Sequence, residues 1–379
     1  MFELSLVESI AEIGPALYSE FEGTERYPFL NYQWLLALEE SGCLGADRGW
    51  IPRHVVIRRA KEVVALAPAY IKLNSHGEFV FDQGWAEFSE TRLGERYYPK
   101  LILAVPFTPA GGARVLMKRG ANEKDRELVF DILTGALPEL AEKLGLSSVH
   151  VLFPNEQDAS ELESRSWALR LGLQYQFHNH SFKNFDEFLA TFRAKKRANI
   201  RRERRGLEQQ GINLEVTTGT SLRSGDAHLA HSLYLTTVDK HVWGRRYLTR
   251  NFFERVMSKM PESIHLVLAR DKDGEVIAGA FNLIGSDALY GRYWGAFRDV
   301  PFLHFNVCLY EGVHECIKRG LARFEPGAGG EHKQGRGFAP TLTRSLHYLH
   351  HPHLDGAVRD FCKKESDAIR AHLRVCANK

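Results

Sequence analysis

The sequence predicts an α+β protein of two tandem lobes, each a mixed, largely antiparallel sheet flanked by helices, with a basic helix linking them. Three observations lead there. The chain has 379 residues, 44% of them hydrophobic and 26% charged, which is longer than one hydrophobic core ordinarily supports and globular in composition. Its apolar runs come in the same order twice. His54 to Arg59, Glu62 to Ala69 and Glu78 to Ala86 in one half answer His265 to Arg270, Glu275 to Ala280 and Ala288 to Ala296 in the other, with 31 residues from His54 to Trp85 and 29 from His265 to Trp294. Each half then shows Val-Pro-Phe (Val105 to Phe107, Val300 to Phe302), a helical segment closed by Gly-Leu, and a short strand running to Pro154 or Pro326. Two copies are too few for a solenoid, so they read as a pseudo-duplicated pair with boundaries at 1–180 and 181–379.

Within each copy the elements follow from local chemistry. Runs rich in Val, Ile, Phe and Tyr, broken at Lys61-Glu62, Asn74 to Gly77, Asp271 to Gly274 and Gly285 to Asp287, are strands joined by hairpins. Asp125 to Lys143 carries Leu128, Ile132, Leu133, Ala136 and Leu140 on one helical face, with Pro138 as a kink point. Asn306 to Lys318 repeats the pattern with Val307, Tyr310, Val313, His314 and Ile317, and Gly320 stands where helices close. Asn184 to Leu207 reads as one long helix beginning the second lobe, and Asp355 to Leu373 as a C-terminal one.

Composition narrows the function classes. The net charge of +3 is small. No apolar run approaches the ~20 residues of a membrane span, and Met1 to Ile13 carries three Glu and no basic residue, unlike a targeting signal. Integral membrane association is therefore not expected. Five cysteines without a C-x-x-C pair point to a reducing cytoplasm rather than a disulfide framework or zinc site. His347, His350, His351 and His353 have no acidic partner at helical spacing, so no metal is expected. G-x-S-x-G, P-loop and H-E-x-x-H motifs are absent from the sequence.

Chemistry concentrates in two segments. Arg323 to Phe338 has five glycines in sixteen residues, threaded with Glu325, Glu331, His332, Lys333 and Arg336. Such a loop suits close approach to a ligand and proton movement. Arg193 to Arg205 has eight basic residues and one acid in thirteen positions. A single Glu does not neutralise eight cations, so the run suits phosphate groups, through Lys196, Arg197, Arg201 and Arg202. Asp82, Trp85, Arg292 and Tyr293 fall at what read as paired strand ends, and Arg292 stands out as an arginine among apolar strand residues.

Three segments carry a likeness to a known family: Tyr98-Pro-Lys-Leu-Ile-Leu-Ala-Val-Pro-Phe107 with Gly111-Gly-Ala-Arg-Val-Leu116, the basic run from Lys196 to Arg205, and Phe324-Glu-Pro-Gly-Ala-Gly-Gly-Glu-His-Lys333. With Pro68 to Lys72 and Phe81-Asp82, they make most of the chain resemble the FemAB-like branch of the GNAT acyltransferase superfamily. The resemblance implies two tandem GNAT-like lobes and an N-acyltransferase that moves an acyl or aminoacyl group from acyl-CoA or aminoacyl-tRNA to an amine. The acceptor would be an amine-bearing small molecule or peptide, and tRNA a partner where it is the donor. In that reading Glu325, Glu331 or His332 takes the amine's proton, Lys333 or loop N–H groups stabilise the oxyanion, and Asp82, Trp85, Arg292, Tyr293, Lys333 and Arg336 bind substrate. The alternative is a non-catalytic binder of a cell-wall precursor or RNA. One departure stands out. The glycine turn with which GNAT enzymes hold the CoA pyrophosphate is missing from Phe297 to Phe305, and only Thr108 to Arg114 in the first copy comes near it. Either the first copy holds a CoA-like donor or the donor is not CoA.

Overall fold

The computed structural model describes residues 2–240 and 245–377. It divides into two compact units, Met1–Leu173 with Leu342–Lys379, and Gln174–Thr341. The chain passes between them within strands Ala168–His178 and Ala339–Leu349.

The first unit holds two sheets. In one, Phe2–Val7, His54–Arg59, Glu62–Ala67 and Leu116–Met117 are neighbours in that order. In the other, Trp50–Pro52, Ala69–Lys72, Lys100–Leu103, Ser148–Leu152 and the end of Ala339–Leu349 follow one another. Helix Glu123–Lys143 lays Val129, Phe130, Leu133, Leu137 and Ala141 on a core with Leu101, Leu103, Val149 and Val151. It runs unbroken through Pro138.

The second unit repeats the plan. Asn213–Thr217, Ile264–Arg270, Val276–Ile284 and Ala288–Ala296 form an antiparallel run, and Arg323–Glu325 then joins Ala288–Ala296 in parallel. The crossover between those last two is the helical stretch Leu303–Arg319, α-helical at both ends with a π-turn at Asn306–Tyr310. Gly320 closes it in the left-handed region at φ 67°. Three of the four hairpins sit where the sequence placed them, at 60–61, 271–275 and 285–287, whereas Asn74 to Gly77 leads into a loop and helix Gln83–Phe88.

Four expectations need correction. Residues from 342 onward, grouped by sequence with the second lobe, belong to the first unit. Ala339–Leu349 pairs there with Ser148–Leu152, and helix Pro352–Ala377 buries Leu354, Val358 and Cys362 with Trp85 and Tyr97. The third strand of the first copy is Lys100–Leu103, not Glu78 to Ala86. Glu78 and Asp82 are drawn inward by the Lys100 ammonium, and Asp82 opens helix Gln83–Phe88, which carries Trp85. The match of Trp85 with Trp294, which lies on a strand, is therefore not structural, nor is the placing of Asp82 and Trp85 at strand ends. Finally, the long helix is two, Phe185–Ala190 and Ala194–Glu208. Thr191 turns its hydroxyl back to the Phe188 carbonyl at 2.7 Å, and Arg193 is extended at ψ 149°.

Candidate functional site: a parted strand end in the second unit

Strand Ala288–Ala296 stays beside Arg323–Glu325 for three residue pairs, ending at Tyr290 with Glu325. The longer strand continues while the shorter one runs into the glycine loop. Gly291 makes the parting close, since a Cβ there would stand 3.0 Å from the Pro326 Cα. The far end of the same edge is covered by helix Asp226–Val238, where Ala296 N–H donates to Thr236 Oγ1 at 3.0 Å. Gly295 is required for that contact, because a Cβ would fall 1.8 Å from the Leu233 carbonyl oxygen. Between the two lies Gly291–Tyr293. Pairing with Val276–Ile284 jumps from Phe281 opposite Tyr293 to Asn282 opposite Gly291, so Arg292 is the extra residue of a β-bulge. Its guanidinium lies 5.2 Å from the Tyr293 ring.

The loop that follows curls on itself. Gly327, Gly329 and Gly330 take φ of 91°, 72° and 91°, values that L side chains avoid. The turn brings Lys333 back beneath the curl, where its Nζ donates to the Gly327 carbonyl at 2.8 Å and the Ala328 carbonyl at 3.4 Å. Lys333 is 5% exposed, and burial pulls its amine down to about 8. The His332 ring sits 5.9 Å from His304 and 6.0 Å from Phe305. Burial first, then Lys333 and Arg336, lower its pKa. His304, deeper and under the same neighbours plus His332, is pushed down to about 4. Glu325 is buried, with Oε1 accepting from Arg323 Nε at 3.0 Å, and Glu331 is exposed.

The basic helix Ala194–Glu208 meets this loop within the same unit. Ile200, Glu203 and Leu207 form its buried face. Glu203, the one acid of the run, binds Arg336 through two oxygens (Nη2 to Oε1 2.8 Å, Nε to Oε2 3.1 Å) and accepts the Tyr310 hydroxyl. Arg336 also donates to the His332 carbonyl at 3.0 Å and lies 3.4 Å over the Phe305 ring. Glu203, Arg336 and Tyr310 thus clamp helix, loop and π-turn together, and Glu203 is not available to the cations beside it. Arg201 and Arg202 are exposed and Lys196 and Arg197 half-buried. Lys196 reaches the loop, because a Cβ on Gly335 would stand 2.5 Å from its Nζ. Nor does any side chain cap the first turn of this helix, although Lys195, Lys196 and Arg197 stand at its positive end. The crossover helix likewise begins uncapped at Phe302, with no acid in its first turn.

The structure therefore gathers Lys196, Arg292, Tyr293, Glu325, Glu331, His332, Lys333 and Arg336 in one unit. Asp82 and Trp85 lie in the other, in a buried polar cluster. Lys100 Nζ donates to Glu78 at 2.8 Å and to Asp82, which also accepts from Tyr97 at 2.7 Å and from Ser75. Trp85 stands edge-on to His347 at 4.8 Å, and His347 bonds His150 at 2.7 Å. Sequence reasoning missed Glu203, His304, Phe305, Cys308 and Tyr310 as parts of the site. The lone acid in a basic run was the one available signal.

The matching strand end of the first unit is shut. Lys100–Leu103 and Ser148–Leu152 end almost level, with Leu103 opposite Val151. Gly112 then carries the parallel pairing onward, donating to the Phe153 carbonyl at 3.2 Å and accepting from Asn155 N–H at 2.7 Å. Arg114, 2% exposed, fills the space and donates to the carbonyls of Leu152, Ala113 and Ala110 at 2.7, 2.9 and 2.8 Å. Helix Glu123–Lys143 closes its own N-terminus with an Asn122–Asp125 capping box and has Glu123 and Asp125 in its first turn, which repels an anion.

Two tandem lobes, each with a parallel fourth and fifth strand joined by a crossover helix, define a tandem GNAT fold. The chain belongs to the FemAB-like family, described as peptidoglycan biosynthesis/recognition, whose model matches residues 9–379. Its fold is similar to that of L-PGS from Bacillus licheniformis (12% identity, covering 89% of this chain and 98% of that one, TM-score 0.51). FemX is similar to the same degree (12%, 94% and 100%, 0.51). So is a conserved protein of unknown function from Bacteroides thetaiotaomicron VPI-5482 (10%, 91% and 99%, 0.51). At such identities the likeness is one of fold. A search of curated proteins finds no match to this sequence. Among the described residues, no helix is long and apolar enough to cross a membrane, and no group of three or more His, Cys, Asp or Glu residues is placed to hold a metal ion.

Proposed function

We propose that the protein is an N-acyltransferase whose second unit binds the phosphates of an acyl-CoA or aminoacyl-tRNA donor and passes the acyl or aminoacyl group to an amine on a cell-wall precursor. The observation that carries this reading is the meeting, in one unit, of a parted strand end, an ionisable glycine loop and a basic run, Arg193 to Arg205, whose one acid is committed to Arg336. Phosphates would lie against Lys196 and Arg197 in the uncapped first turn of that helix and against Arg201 and Arg202 further along it. The acyl group would then run along Gly291–Tyr293 toward the loop. Direct attack by the amine fits the nucleophile inventory, since burial raises the Cys308 and Cys316 thiols well above their ordinary range.

Family membership supports a cell-wall amine as acceptor. The closed strand end and self-capped helix of the first unit support placing the donor in the second. A binder of RNA or precursor without transfer would use the same exposed cations. The deciding assay incubates the protein with UDP-linked muramyl pentapeptide and either radiolabelled aminoacyl-tRNA or acetyl-CoA, with mass spectrometry of the peptide. Transfer from one donor, lost in the Arg197, Arg201, Arg202 triple alanine variant and weakened steeply by salt, is expected. Binding of tRNA or precursor with no product from either donor would establish the binder.

A further inference from the structure

A transferred amine must lose a proton, and the three groups first expected to take it are poorly placed for the task. Glu325 gives Oε1 to Arg323 at 3.0 Å. Glu331 is exposed. Burial, and then the neighbouring Lys333 and Arg336, weaken His332 as a base. We propose instead that Lys333 is the proton acceptor of the site, a role that rests on the transfer reading above.

The argument begins with geometry. An ammonium has three N–H bonds, and two of those on Lys333 point to the Gly327 and Ala328 carbonyls. Loss of the third proton keeps both hydrogen bonds and leaves a lone pair in the vacated direction, so the neutral amine fits this cradle as well as the cation does. The surroundings favour that exchange. Own-loop neighbours are the two carbonyls, His332 and Arg336; His304 and Cys308 face it from the crossover helix, and Lys196 approaches the loop from the basic helix. Among the described residues no carboxylate pairs with Lys333. Burial without a counter-ion holds the amine at about 8, near the working pH of a general base.

The step balances. Nζ takes the proton from the attacking amine as the N–C bond forms. The bond from the acyl carbon to sulfur or to the ribose oxygen then breaks, and Lys333 returns the proton to the leaving atom.

Two measurements test the assignment. In the first, the whole protein is labelled with trace acetic anhydride between pH 6 and 10 and its lysines are read by peptide mass spectrometry. Lys333 should titrate near 8, against ~10.4 for unperturbed lysines. In the second, K333R keeps the charge and the carbonyl bonds but gives up no proton. It should lose ~10²-fold or more in transfer rate, as should K333M, with hydrogen exchange of residues 327–338 unchanged in K333R. A Lys333 midpoint beside the exposed lysines, or K333R working at the wild-type rate, overturns the assignment while transfer stands. A wild type that forms no product although Lys333 titrates near 8 overturns the transfer reading, and the catalytic role with it.

Discussion

The two units descend from one plan and differ at one place. Both carry a buried histidine on the first repeat strand, His54 and His265, and both join their last two repeat strands in parallel through a helix. In the first unit the strands end level, Gly112 extends the pairing, and Arg114 occupies the space beyond. In the second, the strand loses its parallel neighbour after Tyr290, helix Asp226–Val238 covers that edge at Gly295 and Ala296, and five glycines loosen the chain opposite. The buried charge is arranged to match. The first unit pairs Lys100 with two carboxylates, whereas Lys333 in the second has only carbonyls. The first unit has a carbonyl-held lysine of its own, Lys72, bonded to the Gly49 and His76 carbonyls, so the two copies differ chiefly in the strand end, shut by Gly112 and Arg114 in one and parted after Tyr290 in the other.

Breaking the first unit should give the largest effect on stability. Lys100→Met takes from Glu78 and Asp82 the one ammonium that bonds both, leaving them only the field of Lys72, a loss of about 3–5 kcal/mol. Urea unfolding should show it, while phosphate-donor affinity of the folded fraction stays the same. A stability near wild type would mean that the carboxylates are protonated or reach water.

Gly337→Ala strikes the second unit. The residue has φ +89°, and a Cβ would stand 2.7 Å from the Phe188 ring, so strain and overpacking together should cost roughly 1–3 kcal/mol. Faster hydrogen exchange at residues 327–338 than at 100–114 is the expected signature. Equal change in both segments would contradict the local origin.

The smallest effect is one of pH. Burial holds His150 and His347 well below their ordinary value, so the stability they contribute is present above about 6.5 and lost as pH falls below it. Glu78, raised to about 7 from 4.5 by burial, acts in the opposite sense, contributing below 4.5 and losing that contribution as pH rises through 7. Between pH 6 and 5 the two imidazoles outweigh the one carboxyl, and the lowered His265 and His304 act in the same sense, so stability should fall with pH there. Urea midpoints measured across that range should show the slope, and His347→Gln should flatten it. A slope unchanged by the substitution would assign it elsewhere.

Much of this was legible in the sequence, and the failures have physical reasons. The strands His54–Arg59, Glu62–Ala67, Ile264–Arg270, Val276–Ile284 and Ala288–Ala296, three of the four hairpins and the Gly320 cap depend on local chemistry, and they stand as read. Trp85 was misread because Glu78-Phe-Val-Phe-Asp82 alternates like a strand, while the pull of Lys100, eighteen residues beyond Asp82, turns it into a loop and helix. The break at Thr191 hinges on a hydroxyl that bonds its own backbone. Arg114 as a plug was invisible, since its partners are carbonyls that only the folded loop presents. Glu203 was noticed as one acid among eight cations, but its bond to Arg336, 133 residues away, is a product of tertiary packing.

The central claim is that the second copy, and not the first, receives the donor. Hydrogen exchange of the whole chain, with and without saturating aminoacyl-tRNA or acetyl-CoA, tests it most directly. Protection is expected at residues 193–205, 303–306 and 327–338, with 100–114 and 122–126 unaltered. Protection centred on 100–126, with the glycine loop and basic helix unchanged, would contradict it.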